Sequence, residues 1–68
     1  MLGYQIKTIR VQQGLTQYEL AKKLGLSSKS TVSMWESGER TPSAALLPQI
    51  AEALKCSVSD LFESKGAD

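Results

Sequence analysis

Histidine is missing from all 68 residues, and cysteine occurs once, at Cys56. Without imidazole, the common zinc sites, histidine acid-base pairs and Cys-His nucleophiles have no members, so the chain offers no catalytic constellation, metal site or cofactor site. One cysteine also excludes an intrachain disulfide framework. A domain of this length, near the size where a single core becomes marginal, must then pack efficiently or oligomerise. Cys56 itself fits a reducing compartment and reads as a small buried hydrophobe. No apolar run approaches a membrane span, and the first residues lack a basic region followed by an apolar stretch, so a soluble cytoplasmic protein is expected. Charge of one sign is scarce as well. Eight basic against seven acidic residues leave a net charge of +1. Its distribution is more telling: residues 1–40 hold six basic groups against three acidic ones, and residues 41–68 hold two against four. Such a chain can turn its first part to phosphates and keep its last part for protein contacts; an ordinary solvated surface is the alternative.

What is present is helical. Gly14, Gly25, Gly38 and Gly66 punctuate the chain, and no run shows the alternation of a strand. The pattern predicts five helices in a compact all-α domain over residues 1–63, with residues 64–68 as a flexible tail. The first covers roughly residues 2–13, buries Leu2, Ile6 and Ile9, and stops at Gly14. Residues 16–38, TQYELAKKLGLSSKSTVSMWESG, read as two short helices joined by a glycine turn. Thr16 can cap the first while Glu19 reaches back, and Leu15 and Leu20 form a hydrophobic staple. Leu20, Ala21 and Leu24 share a face, and Gly25 stands where positive φ is needed. Val32 and Trp35, three apart, give the next helix its buried stripe and leave small polar side chains on the rest. This is the outline of a helix-turn-helix reader of DNA. After the loop SGERTPS, Ser43 can cap a fourth helix that buries Leu46, Leu47, Ile50, Ala51 and Leu54. Pro48 conflicts with that start, so the helix either kinks or begins later. Ser57 and Asp60 open a fifth, with Val58, Leu61 and Phe62 as its apolar residues.

With these segments in view, the chain resembles the Cro and lambda-repressor-like helix-turn-helix family, also called the xenobiotic-response-element family. The resemblance runs through IKTIR, GLTQYELAKKLGLS, STVSMWESGERTPS, LLPQIAEAL and VSDLF, nearly the whole chain, and separated motifs in the right order are a strong signal. It implies a five-helix lambda-repressor-like fold, with the helix-turn-helix formed by helices 2 and 3. It also implies a sequence-specific regulator of transcription that binds double-stranded DNA as a homodimer. A repressor acting on a palindromic operator is expected, with an adaptor or antitoxin on the same fold as the alternative.

By position, the resemblance implies that Gln17 touches a phosphate and braces the recognition helix. Lys29, Ser30, Thr31, Ser33 and Met34 would meet base edges, and each could equally face a phosphate or solvent. Ser28, Ser37 and Arg40 fall where the backbone of a half-site is expected, with Arg40 the main phosphate anchor. Arg10 and Glu36 match a structural ion pair that orients the reader helix; Arg10 reaching a phosphate is the alternative. Val58, Leu61 and Phe62 are dimer-interface candidates whose other reading is intrachain core. One departure stands out. The stretch from Gly25 to Glu36 is one residue longer than usual for the family, so a serine of SSKS either lengthens the turn or extends the helix. One residue is about 100° of helix rotation, so the two options aim different side chains at the bases.

Overall fold

The computed structural model describes residues 2–62, which form four α-helices and two 3₁₀ turns with no strand among them. Helix α1 spans Leu2–Gln12, α2 Gln17–Lys23, α3 Ser30–Ser37 and α4 Leu47–Ala53. The 3₁₀ turns are Ala44–Leu46, directly ahead of α4, and Ser59–Leu61 at the end. The tail expected over residues 64–68 lies outside the described residues.

The core is built from one stripe of each helix. Ile6, Leu20, Val32, Ile50, Leu54 and Leu61 are fully buried, with Ile9, Ala21, Trp35 and Ala51 nearly so. Each large member stabilises the fold by roughly 1.5–3 kcal/mol relative to exposure. Leu2, Leu15, Leu24, Leu26 and Cys56 pack against its edge. Burial, and secondarily the charge of Asp60, raise the Cys56 thiol above its ordinary pKa, which disfavours the reactive thiolate.

Helix ends explain where the chain turns. At Gly14 (φ +75°), Gly25 (φ +74°) and Lys55 (φ +57°) the backbone enters the left-handed region. Each time the next amide bonds back five residues: Leu15 to the Arg10 carbonyl, Leu26 to Ala21 and Cys56 to Ala51. This is the Schellman closure, which satisfies carbonyls the helix would otherwise orphan. Two of the three sites are glycines. The third is a lysine, which adopts this conformation against steric cost.

Of the two outcomes left open at Pro48 the later start is the one observed, and two expectations, the Ser43 cap and the fifth helix, are corrected. The helix after SGERTPS begins at Leu47, which puts Pro48 in its first turn, where the missing N–H would have no intrahelical partner anyway. Ser43 lies before the 3₁₀ turn and makes no side-chain cap. The fifth helix is reduced to the single turn Ser59–Leu61 among the described residues. Ser57 and Asp60 do exchange capping bonds: the Asp60 amide donates to Ser57 Oγ at 3.2 Å, and the Ser57 amide donates to Asp60 Oδ2 at 3.1 Å. One capped turn does not repay helix nucleation, so the segment closes with i→i+3 bonds and is held by tertiary contacts. Gln5, buried in α1, donates from Nε2 to the Asp60 carbonyl at 3.0 Å, and Leu61 plugs the core. Leu61 is therefore intrachain core and has no surface for a second copy, whereas Val58 and Phe62 remain exposed.

Candidate nucleic-acid interface

The candidate interface begins with the start of α2. Thr16 Oγ1 accepts the Glu19 amide at 3.0 Å and the Glu19 carboxylate accepts the Thr16 amide at 2.8 Å, a closed capping box. The helix ends at the Gly25 closure, and residues 26–29 carry the chain to α3. The Ser28 hydroxyl accepts the Ser30 amide at 3.0 Å, which caps the front of α3. The extra residue of SSKS therefore lengthens the turn, and α3 keeps Val32 and Trp35 facing the core.

That phase decides which side chains look outward. At about 100° per residue, Ser30, Ser33 and Ser37 lie opposite the Val32 and Trp35 stripe, with Met34 beside them. The three serines are exposed, and Thr31 and Met34 are half-buried toward the flanks. Lys29, exposed and just ahead of the helix, stands on the flank nearer α2. Beyond α3, Gly38 turns the chain at φ +88°, and the Arg40 amide donates to the Met34 carbonyl at 3.2 Å. The Ser37 hydroxyl donates to the same carbonyl at 3.2 Å and accepts the Glu39 amide at 3.4 Å, so Ser37 secures the loop. The Arg40 side chain is exposed at its edge.

Behind this face, three helices are joined by one polar cluster. Arg10 of α1 donates from Nε to Glu36 Oε2 at 2.7 Å and from Nη2 to Glu36 Oε1 at 3.2 Å, a two-pronged grip on the carboxylate of α3. Its Nη1 donates to the Leu15 carbonyl at 2.6 Å. Gln17 of α2 adds its Nε2 to Glu36 Oε1 at 3.0 Å. The pair's side chains are only 10% and 5% exposed, so the charges are largely removed from water. Arg10 spends three donors on partners inside the fold. Gln17 keeps a second amide hydrogen free of this bond, so bracing α3 and touching a phosphate are compatible in one side chain.

Sequence reasoning overlooked three positions. Gly3 lies inside α1, and a Cβ there would meet the Trp35 carbonyl oxygen, so this glycine lets α1 and α3 approach closely. A glycine within a helix, costly by itself, was the available signal. Gln5 was hidden because its partner is 55 positions away. Tyr18, on α2, is 60% exposed beside Lys22 and Lys29, an aromatic on an otherwise polar surface.

The comparisons agree with this architecture. The family model described as helix-turn-helix matches residues 6–61. The competence pilus inhibition repressor of Acinetobacter baylyi is 39% identical over 61 residues, covering 90% of this chain and 54% of that protein. The chain thus spans about half the length of this relative. Among solved structures, the biofilm master regulator SinR in complex with DNA superposes with a TM-score of 0.82 and 36% identity, covering 93% of this chain and all of that one. The P22 c2 repressor in complex with a synthetic operator gives 0.81 and 31%, with 90% and 91% covered. From the capped α2, the glycine turn, the core-facing stripe of α3 and these matches, the chain belongs to the lambda-repressor-like helix-turn-helix family.

Proposed function

We propose that this domain is a sequence-specific double-stranded DNA-binding regulator of transcription, a cytoplasmic repressor that binds a palindromic operator as a homodimer. The observation that carries the reading is the mounting of α3. One face is fixed by Val32, Trp35 and the Arg10–Glu36–Gln17 cluster, and the opposite face offers Ser30 and Ser33 to solvent, with the half-buried Met34 beside them. In the major groove, serine hydroxyls bond several base edges and a methionine methyl packs on thymine. Thr31 and Lys29 border that face. Gln17, Ser28, Ser37 and Arg40 ring it, as backbone contacts should. Arg40, exposed at the loop edge, is the strongest phosphate anchor of the four.

Two-fold symmetry sets the half-sites about 34 Å apart, one helical turn. Val58 and Phe62, both exposed, are the dimer contacts of this reading. Selection from a random duplex pool tests all of this together, because it returns motif, symmetry and spacing. A palindrome supports the repressor dimer, while an asymmetric motif overturns the dimer alone. Arg40→Ala is expected to reduce the log-log salt slope of binding by about 1. Salt-insensitive or absent binding to every duplex favours the protein-binding adaptor, to which the hydroxyl-rich, uncharged face of α3 is also suited.

A further inference from the structure

The surface between α2 and the front of α3 holds two shallow grooves that meet at Tyr18. One, of about 520 Å³, runs from Gly14 past Gln17 to Tyr18 and Lys29. The other, of about 160 Å³, is bordered by Tyr18, Lys22, Ser27, Ser28 and Lys29. Tyr18 and Lys29 are the two residues that line both grooves. The Lys22 ammonium lies 5.9 Å from the Tyr18 ring centroid, which steadies the ring on the helix surface. The Tyr18 hydroxyl has no hydrogen-bond partner among the described residues.

We propose that Tyr18 and Lys29 clamp one phosphodiester of the DNA backbone beside the bases that α3 faces, which makes Lys29 a backbone contact and not a base reader. The inference rests on the DNA-binding reading above. Helix phase is the first argument: Lys29 stands about 90° from the midline of the outward face, at the α2 side, where the strand backbone passes a helix seated in the groove. Charge is the second. Lys22 and Lys29 rim the grooves, and the carboxylates of the two helices are already engaged, Glu19 with the Thr16 amide and Glu36 with Arg10 and Gln17. A hydroxyl and an ammonium are both donors, and phosphate oxygens are the acceptors a duplex presents at this height. The grooves also run on into Gln17 and Ser28, so the clamp extends the same backbone track.

The test uses the whole chain and the duplex returned by selection. Lys29→Ala is expected to lower the salt slope by about 1 while the selected motif stays the same. Tyr18→Phe should weaken binding roughly three- to tenfold at unchanged slope, the loss of one hydrogen bond. Both residues are exposed, and unchanged thermal unfolding of the variants would show that only binding moved. A walk of single methylphosphonates along the backbone should find one position that weakens the native protein and leaves Lys29→Ala indifferent. The clamp is overturned if Lys29→Ala relaxes preference at one base pair with its slope intact, or if Tyr18→Phe binds like the native protein. A native protein that binds no duplex overturns the DNA reading itself.

Discussion

At the scale of single residues, Arg10 and Glu36 dominate because each is costly to bury alone. Removing one partner strands a charge where water cannot reach it, a loss of about 3–5 kcal/mol. A 68-residue domain has a total stability of only about 3–10 kcal/mol. Arg10→Ala or Glu36→Ala should therefore remove about a third or more of the domain's stability, as read by urea titration. Replacing both with Met and Leu should recover most of that loss, and a double variant as unstable as the singles would contradict the argument. Gly3 tests sterics in the opposite direction. Gly3→Ala gains about 1 kcal/mol of helix propensity but drives a methyl into the Trp35 carbonyl, and overpacking of this kind costs about 1–3 kcal/mol. Sterics should win, with a net destabilisation of about 1 kcal/mol; a rise in Tm would show that α1 can slide.

At the scale of elements, stability is concentrated at helix ends, since the helices are seven to eleven residues long and marginal in isolation. The start of α2 was legible in Thr16 and Glu19 because a capping box depends on residues three apart. Gly25 marked its end for the same local reason. Lys55 gave no such mark: the end of α4 uses the same closure as Gly14 and Gly25 but with a side chain at φ +57°. Lys55→Gly should relieve about 1–2 kcal/mol of strain, offset by the extra entropy of glycine in the unfolded chain. A net gain of about 0.5–1 kcal/mol is expected, or roughly 2–8 °C in Tm by calorimetry. An unchanged or lower Tm would mean that the lysine side chain contributes contacts of similar worth. Pro48 stated a conflict in sequence that only the placement of Leu46 and Leu47 against the core resolved, by starting the α-helix one turn late.

For the whole molecule, the distinction between core and partner surface decides what Val58, Leu61 and Phe62 do. Leu61 is fully buried, which leaves Val58 and Phe62 as the two of these three residues open to a second copy. Phe62→Glu, at a position 55% exposed, should change stability by no more than about 0.5 kcal/mol. It should also abolish dimers in sedimentation and lower affinity for a full operator while sparing a half-site. Equal affinity of native and variant protein for the full operator would place the dimer contact elsewhere. The all-helical class, the capped α2, the turn at Gly25 and the inward stripe of Val32 and Trp35 were determined by sequence alone, because period, capping and turn chemistry act over a few residues. The contact of Gly3 with Trp35, the bond from Gln5 to Asp60, the burial of Leu61 and the outward phase of α3 were decided by tertiary structure. Each depends on segments far apart in the chain being brought to one place, where excluded volume and the need to satisfy buried polar groups select an arrangement that no local pattern encodes.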